Sequence, residues 1–481
     1  MATFKKALIF SFAEKYLRII LQLVSVTILA RLITPEEYGI YTIAVVFVGI
    51  ASIIKELGVN NYLIKEQDLT TDKIRSAYGV LIIVATFTAL ILFLSSSFIA
   101  DFYTEQTLSP ILKLLAFNIL IAPYGSIIQT LQRKELNFQP SFVTGLLSQL
   151  ISVIMMIGLA INDFGVYTLV WGAIIQTATQ ALLIQFYRPK SMPALPNLKL
   201  WKEITGYSSF VSLNAVAGHI GHNSAELITG KFLSITDVGI LNRASNTAGL
   251  FNNLFTQALG PVVTPFFAKL KAEKGDITRS FKTILQIQLS IAWPFYIVLG
   301  LFSELIIRIL FGEQWLAAAP LLSLYCISRS IYFVTQLAES ILMGLGEAKS
   351  IMKAGLLLNS LRVIIALIFA PYGLTTLVTA LVTIPSLIRL AIYFYLIKTK
   401  IHITSKNYIS WLKSPFIISI FTLTPYLVFS MLPFASTSNM LSALVTIIAM
   451  GIIWLFMVFY SEQGQLLKKQ FLPSTKKNIK L

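Results

Sequence analysis

Long apolar runs, separated by short polar joints, make up most of this chain. A helix needs about 20 residues to cross the ~30 Å hydrocarbon layer of a membrane. We count about fourteen runs of that length, and they begin near Phe10, Tyr38, Ala77, Ile111, Phe142, Phe164, Tyr207, Val238, Phe281, Ala317, Ile351, Leu374, Pro415 and Met440. Their length and their Gly, Ser and Thr content favour helices over the alternating strands of a membrane barrel. The pattern predicts an all-α polytopic membrane protein with about fourteen transmembrane helices.

One polar joint occurs twice. Residues 30–44, ARLITPEEYGIYTIA, return in degenerate form at residues 230–244, GKFLSITDVGILNRA. Identical or similar residues stand at Arg31/Lys231, Ile33/Leu233, Thr34/Ser234, Glu37/Asp237, Gly39/Gly239, Ile40/Ile240 and Ala44/Ala244. An internal repeat in a membrane protein indicates a transporter whose binding site lies between two halves. The repeat predicts two parallel six-helix bundles, followed by a C-terminal pair of helices.

Four predicted parts follow from the repeat. They are an N-terminal six-helix bundle at 1–187, a cytoplasmic linker with an interfacial helix at 188–204, a C-terminal six-helix bundle at 205–398, and the final two transmembrane helices with a basic cytoplasmic tail at 399–481. No segment between the runs exceeds about 20 residues, whereas a soluble catalytic domain needs 50 or more. Pro261, Pro265 and Pro294 are expected to bend or end their helices.

The charge of the chain reflects its topology. Charged residues make up 12% of the sequence, against roughly 25% in soluble domains. Most of the 38 lysines and arginines fall in the termini and in alternate loops, and the remaining loops carry mainly Asp and Glu. The positive-inside rule then places both termini in the cytoplasm. It also explains the net positive charge of the chain without a nucleic-acid partner. The first helix is expected to remain as an anchor, and the single cysteine, Cys326, allows no disulfide framework.

Ionisable side chains inside the apolar runs are the candidate site. Each costs about 2.5 to 3.5 kcal/mol on insertion scales, so it is expected to serve a function. Five arginines fall in predicted spans: Arg18, Arg243, Arg329, Arg362 and Arg389. Guanidinium groups stay protonated and pair with phosphate and carboxylate oxygens, so a cavity lined by them favours an anionic substrate. Secondary cavity candidates, at helical spacing from these or from one another, are Glu14, His222, Glu226, Asn253 and Gln336.

Several of these residues have a second interpretation. Glu14 and Arg18 are four residues apart and can form an intrahelical pair, and Arg389 can extend to the cytoplasmic edge of the membrane. His219 and His222 are too few to define a metal site, and a satisfied structural pair fits them better. No nucleophile triad or carboxylate pair, no Walker A pattern and no dinucleotide fingerprint is found in the sequence. The sequence therefore predicts no catalytic residue, no metal and no cofactor.

Five segments in order resemble one known family. They are ARLITPEEYGIYTIA, LQRKELNF, GKFLSITDVGILNRA, PVVTPFFAKL and FGEQWLAAAPLL. They are similar to the polysaccharide exporters, or flippases, of the multidrug/oligosaccharidyl-lipid/polysaccharide superfamily, in the bacterial branch that includes colanic-acid-type exporters. The resemblance implies two bundles around a central cavity that opens alternately to each side of the inner membrane. It implies an undecaprenyl-pyrophosphate-linked oligosaccharide as substrate, for capsule, exopolysaccharide or O-antigen, with a polysaccharide polymerase and a chain-length regulator as possible partners besides membrane lipids.

Two other functions stay open. A drug/cation antiporter of the same superfamily would need cavity carboxylates, but the deep arginines outnumber the three acids Glu14, Glu226 and Glu339. A membrane glycan polymerase, ligase or glycosyltransferase acting on the same lipid-linked sugars would carry a large loop with catalytic residues. The loops of this chain are too short for one.

Overall fold

A computed structural model describes residues 2–56, 58–189, 195–431 and 440–461, and it describes their side chains outside 2–16, 205–214 and 254–262. Helices make up nearly all of these residues. In chain order they are α1 (Ala2–Leu32), α2 (Pro35–Glu56), α3 (Val59–Lys65), α4 (Thr71–Tyr103), α5 (Leu108–Ile121), α6 (Pro123–Lys134), α7 (Gln139–Ile161), α8 (Tyr167–Leu183), α9 (Trp201–His222), α10 (Ser224–Phe232), α11 (Ile235–Ala272), α12 (Ile277–Leu301), α13 (Ser303–Phe311), α14 (Ala318–Gly344), α15 (Ala348–Phe369), α16 (Leu374–Leu396), α17 (Ser405–Ser430) and α18 (Met440–Tyr460). The predicted all-α class is confirmed.

The described residues contain 10 helices long and apolar enough to cross a membrane. The pair α5 and α6, bent by 42°, raises the number to 11 if it forms one span. The predicted number of fourteen is therefore not confirmed. The difference lies in α1, α9 and α11, which are 31, 22 and 38 residues long but are not among those 10. The middle of α11 carries Asn246, Asn252 and Asn253, which lower its apolar character.

The chain divides into two compact units. The first unit comprises Met1–Asn242 and Leu310–Trp315, and the second comprises Arg243–Ile309 and Leu316–Leu481. In the first unit α4 packs on α2 and α5, and α7 packs on α1 and α8. In the second unit α12 packs on α14 and α17, and α16 packs on α14 and α15. The boundary between the two units falls inside α11, whereas the repeat predicts that the second bundle begins at residue 205. The four parts predicted from the sequence therefore stay a prediction.

The recurring joint begins a helix in the same way in both copies. At the start of α2, the Thr34 amide donates to Glu37 Oε2 at 2.8 Å and the Glu37 amide donates to Thr34 Oγ1 at 3.3 Å. At the start of α11, Ser234 Oγ donates to Asp237 Oδ2 at 2.7 Å and accepts from the Asp237 amide at 3.0 Å. Such reciprocal bonds satisfy amides that a helix start leaves open. The similarity of Thr34/Ser234 and Glu37/Asp237 therefore has a local cause.

The two glycines of the repeat lie against each other's segment. A Cβ built on Gly39 would stand 1.9 Å from the carbonyl oxygen of Ile235, and one on Gly239 would stand 2.0 Å from that of Pro35. In the repeat, Gly39 corresponds to Gly239 and Pro35 corresponds to Ile235, so the two contacts are equivalent. A contact of this reciprocal kind is the one that a local two-fold relation produces. Only glycine permits it, because the opposing atoms belong to the backbone.

Alanine at either glycine is expected to destabilise the first unit by roughly 1 to 3 kcal/mol, since the clashing backbone cannot rotate away. Melting temperatures of purified Gly39→Ala and Gly239→Ala variants would measure the effect. Gly158→Ala on α7 is the control, because a Cβ built there meets nothing within 4 Å. Melting temperatures equal to that of the control would contradict the close contact.

The end of the linker lies on helices α3 and α4 of the first unit. A Cβ on Gly79 would stand 2.1 Å from the Asn197 carbonyl oxygen, and Arg75 Nε donates to the Leu195 carbonyl at 3.0 Å. Tyr62 donates to Glu203 at 2.8 Å. Lys73 donates to Glu66 at 3.0 Å and so lowers the pKa of that carboxyl. Trp201 begins α9, which runs to His222, so the predicted interfacial segment continues into the next long helix.

The prolines do not end their helices. The α11 helix runs through Pro261 and Pro265, and α12 runs through Pro294. None of the three prolines therefore ends its helix, and the bend expected at these positions stays a prediction.

A segment from the second half of the sequence caps α1. Trp315 is fully buried, and its Nε1 donates to the Ala30 carbonyl at 2.7 Å. Gln314 Nε2 donates to the same carbonyl at 2.6 Å and to the Ile33 carbonyl at 3.3 Å. The Trp315 ring meets Tyr38 edge-on at 5.7 Å between centroids. These donors satisfy carbonyls at the C-terminal end of α1, which have no partner inside the helix.

Candidate functional site

Three of the five predicted arginines come together in the second unit. Arg329 lies on α14, Arg362 on α15 and Arg389 on α16. Helix α16 packs on both α14 and α15, and Ser328 and Ser386 share a hydrogen bond of 3.0 Å between α14 and α16. Arg329 and Arg389 are close enough for their charges to act on Arg362. We call these three residues the arginine cluster.

Arg389 is held in place by α14. Its Nε donates to Thr335 Oγ1 at 2.8 Å, and its Nη2 donates to Glu339 Oε2 at 2.7 Å. The guanidinium lies 4.4 Å from the ring centroid of Tyr332 and 4.6 Å from that of Tyr393. The side chain is 13% exposed, so it does not extend to water as a snorkelling arginine does. Arg389 is therefore fixed, and its charge is balanced by Glu339.

Arg329 and Arg362 are half-buried and make no ion pair with the residues that the structure describes. Arg329 reaches α11, where its Nη2 would stand 3.8 Å from a Cβ on Gly249. Three guanidinium groups and the Glu339 carboxylate leave the arginine cluster with a net charge of two positive. Guanidinium forks with free donors in a partly dry site bind phosphate or carboxylate oxygens in bidentate fashion.

Gln336 lies beside the arginine cluster on α14, and it is 7% exposed. It accepts from Gln288 Nε2 on α12 at 3.1 Å. A buried amide pair of this kind fixes the packing of α12 against α14. Gln336 thus supports the site from within the second unit.

The remaining candidates on α11 differ in exposure. Arg243 is 4% exposed, whereas Asn246 and Asn253 are exposed. The polar residues of this helix therefore separate into a buried arginine and exposed amides. Burial leaves Arg243 less open to a ligand than the half-buried Arg329 and Arg362.

Arg18 belongs to the first unit. Its guanidinium lies on α7, where a Cβ on Gly145 would stand 1.4 Å from Nη2, so a larger residue there would displace this side chain. Gln149 Nε2 donates to the Arg18 carbonyl at 3.0 Å. The side chain of Glu14 lies outside the described residues, and so does the suggested pair of Glu14 with Arg18.

His222 and Glu226 do not continue one helix face. Helix α9 ends at His222 and α10 begins at Ser224. His222 is exposed, whereas Glu226 is 8% exposed. His219 Nε2 lies 3.1 Å from the Val46 carbonyl oxygen, which fits the structural interpretation of this histidine. Among the described residues no group of three His, Cys, Asp or Glu side chains is placed to hold a metal.

Two lysines and two tyrosines were not predicted from the sequence. Lys55 on α2 is 7% exposed, and Lys113 on α5 lies 5.7 Å from the ring centroid of Phe93. Both are charges in apolar runs, which is the signal that identified the arginines. Tyr332 and Tyr393 carried no such signal, because tyrosine is common in membrane helices.

We expect Glu339→Gln to bind anions about tenfold more tightly, because one negative charge leaves the arginine cluster while an acceptor for Arg389 remains. Calorimetric titration of the purified protein with inorganic pyrophosphate would measure this. Glu304→Gln is the matched control, since that carboxylate pairs with Arg308 in the same unit but is 69% exposed. Unchanged or weaker binding in Glu339→Gln would count against an anion site here.

The chain is similar to several proteins of bacterial polysaccharide synthesis. Residues 28–320 match a family model described as polysaccharide biosynthesis protein. The teichuronic acid biosynthesis protein TuaB of Bacillus subtilis is 26% identical over 335 residues, which cover 68% of each chain. The lipopolysaccharide biosynthesis protein WzxC of Escherichia coli is 23% identical, over 67% of this chain and 66% of that protein.

Solved structures show the same fold. The lipid II flippase MurJ in an inward closed conformation has a TM-score of 0.74 at 15% identity, covering 97% of this chain and 100% of that one. An inward-facing multidrug transporter of the MATE family has a TM-score of 0.64 at 12% identity, covering 80% and 94%. At these identities the likeness concerns the fold alone.

Proposed function

Because this chain belongs to the polysaccharide biosynthesis protein family, whose model matches residues 28–320, we propose that it is an alternating-access flippase for a lipid-linked oligosaccharide. The substrate is a polysaccharide repeat unit on undecaprenyl pyrophosphate, and the protein carries it across the inner membrane for capsule, exopolysaccharide or O-antigen synthesis. The arginine cluster is the observation that carries this proposal. A cationic site inside a multi-pass membrane protein suits a substrate whose invariant part is an anionic pyrophosphate.

The names of the relatives support the same substrate class. Besides TuaB and WzxC, the succinoglycan biosynthesis transport protein ExoT of Rhizobium meliloti is 22% identical over 334 residues. Each of these names refers to a different polysaccharide. A site that recognises an anionic lipid pyrophosphate, rather than particular sugars, suits a family of this kind.

We assign different roles to the arginines. Arg329 and Arg362 contact the pyrophosphate or an acidic sugar, since neither is ion-paired within the described residues. Arg389 is a positioning residue, because Glu339, Tyr332 and Tyr393 hold it. Arg18 is a separate cationic candidate within the first unit.

The distribution of basic residues supports an orientation with both termini in the cytoplasm, where lipid-linked repeat units are assembled. In that orientation the protein would receive substrate from glycosyltransferases. It would deliver it to a polymerase and a chain-length regulator on the opposite side.

A reconstituted transport assay tests the proposal. Proteoliposomes would be loaded with a fluorescent undecaprenyl-pyrophosphate-linked oligosaccharide, and the fraction accessible to an external quencher would be followed with time. The expected result is a protein-dependent rise in the accessible fraction. No rise above protein-free vesicles would refute the flippase assignment.

The fold match to a MATE transporter makes the drug/cation antiporter the second candidate. Its drugs are cations, and a net positive arginine cluster repels them. Resistance of expressing cells to cationic drugs, without oligosaccharide flipping in vesicles, would favour the antiporter. New glycosidic bonds formed in the same vesicles would instead indicate a polymerase or ligase.

A further inference from the structure

The first unit has two large clusters of buried apolar side chains at different heights. The outer cluster, towards the start of α2, ends on α2, α4 and α5 at Ala51, Ala85 and Ile119. The inner cluster begins on α3, α4 and α6 at Val59, Leu81 and Ile127. We call the level between these two sets of residues the seam, and the part of the unit built around the inner cluster the inner block. We infer that the inner block hinges as one body at the seam.

Two of the helical segments that contribute to both clusters are interrupted at the seam. Helix α2 ends at Glu56 and α3 begins at Val59, with Gly58 between them at a φ of 65°. Helix α5 ends at Ile121 and α6 begins at Pro123, and the two are bent by 42°. A left-handed glycine and a proline each interrupt the hydrogen bonds of a helix. The repeat does not require these breaks, because α11 runs for 38 residues without one.

The other two segments that contribute to both clusters also have a local reason to bend. Helix α4 crosses the seam unbroken, but Thr86 Oγ1 donates to the Ile82 carbonyl and Thr88 Oγ1 to the Val84 carbonyl, both at 2.8 Å. Hydroxyl bonds of this kind often bend a helix. Helix α8 reaches the inner cluster through Ile184, in the 3₁₀ turn that follows the helix. Hinges at one level in neighbouring segments allow the inner block to turn as one body.

A buried charge lies at the seam. Lys55, in the last turn of α2, is 7% exposed and makes no hydrogen bond or ion pair with the residues that the structure describes. The neighbouring Glu56 is exposed and acts on it only through its charge. A buried ammonium without a partner destabilises the packed arrangement, whereas water entering an opened seam solvates it. Lys55 therefore opposes tight closure of the seam.

The end of the linker is bound to the inner block. The Asn197 amide donates to the Arg75 carbonyl at 3.0 Å, and the Leu200 amide donates to Ser76 Oγ at 3.2 Å. Ile204, in the first turn of α9, is fully buried in the inner cluster. The start of α9 and the inner block are therefore expected to move together.

The part that this hinge plays in transport rests on the proposed function. In the orientation proposed above, the inner block lies at the cytoplasmic end of the first unit, where the lipid-linked substrate would enter. Turning the inner block changes the width of that end and the distances inside the first unit. Rocking of whole bundles as rigid bodies leaves those distances unchanged. Distances inside the first unit therefore distinguish the hinge from rigid-body rocking.

Pulsed electron paramagnetic resonance on the full-length protein in lipid nanodiscs would measure these distances, in a Cys326→Ser background. Spin labels at the exposed positions Arg133 of α6 and Phe98 of α4 lie on opposite sides of the seam. Labels at Ile161 of α7 and at Phe98 lie on the same side and form the reference pair. We expect two distance populations for the Arg133 pair and one for the reference pair. A single population for the Arg133 pair would overturn the inference.

Lys55→Met is expected to shift the two populations at least about tenfold towards the packed seam, because the charge that opposes closure is removed. The matched control is Lys113→Met, which removes a half-buried lysine of α5 that lies 5.7 Å from the ring centroid of Phe93. Equal shifts in the two variants would contradict the role of Lys55.

Pro123→Ala restores an N–H donor at the break between α5 and α6 and should reduce the population with the open seam. Its control is Pro140→Ala, because Pro140 is also buried but lies at the start of α7. Populations that are unchanged in both proline variants would show that this break is not a hinge.

Flipping measured in the same preparations separates the hinge from the proposed function. Two distance populations without flipping by the wild type would support the hinge and refute the flippase assignment. Flipping by the wild type with a single distance would refute the hinge alone. Slower flipping in Lys55→Met, with the wild-type rate in Lys113→Met, would connect the hinge to transport.

Discussion

Replacing Arg329 and Arg362 together by glutamine is expected to reduce oligosaccharide flipping by about a hundredfold or more, because a charge-assisted hydrogen bond contributes ~1.5 to 3 kcal/mol and two are lost. The protein should still fold. Neither arginine is ion-paired within the described residues, so no carboxylate is left without its partner. The loss also relieves the repulsion among the three like charges of the arginine cluster. Flipping in proteoliposomes would be compared at equal amounts of monodisperse protein.

Three further variants sharpen this experiment. Lysine at both positions keeps the charge without the fork, and we expect a transport rate between those of the glutamine variant and the wild type. Arg279→Gln removes an exposed arginine from α12 and should leave transport unchanged. Arg18→Gln tests the contribution of the first unit in the same assay. Wild-type flipping rates in both the Arg329→Gln/Arg362→Gln and the Arg18→Gln variants would show that Arg329, Arg362 and Arg18 do not bind the substrate.

Trp315→Ala is expected to cost roughly 3 to 5 kcal/mol of stability, the range for a buried aromatic residue replaced by alanine. The substitution empties a fully buried volume beside Tyr38 and removes one of the two donors to the Ala30 carbonyl. Such a loss is a large part of the stability of most proteins, so little folded protein should accumulate. Thermal unfolding monitored by size-exclusion chromatography would measure it.

The matched substitution is Trp171→Ala on α8, where the ring is 39% exposed and should matter little to folding. Trp315→Phe retains most of the ring volume but loses the N–H donor. Its cost should be close to that of one hydrogen bond, about 1 kcal/mol. If Trp315→Ala melted at the same temperature as Trp171→Ala, the contacts of Trp315 with α1 would contribute nothing measurable to the stability of the protein.

The local features were predictable because they depend on neighbours in the chain. Thr34 and Glu37 are three residues apart, and that spacing alone predicts the reciprocal bonds that begin α2. The deep arginines were found for a similar reason, since a charge in an apolar run is visible without a fold. The role of Trp315 was not predictable, because its partners Ala30 and Tyr38 are hundreds of residues away in sequence.

Which acidic and basic side chains pair with each other was also not predictable from the sequence. Glu339 was grouped with Glu14 and Glu226 as a cavity acid, but its partner Arg389 is on another helix, 50 residues further along the chain. Which arginine a carboxylate meets depends on how the helices pack, and helical spacing within one run says nothing about this. The same holds for α11, where Arg243 and Asn253 were both cavity candidates but differ in burial.

The amino-acid order was sufficient to establish the class of protein, the helical spans of highest hydropathy, the duplicated joint and the presence of cationic groups in a membrane interior. Each follows from composition, from periodicity or from the cost of a charge in hydrocarbon, and these act over one or two helical turns. Packing selected which arginines meet, leaving Arg329 and Arg362 without ion pairs among the described residues and Arg389 bound to Glu339. It also brought Gly39 against Ile235 and Trp315 against α1. Contacts between distant segments depend on the arrangement of whole helices, and no short stretch of sequence encodes that arrangement.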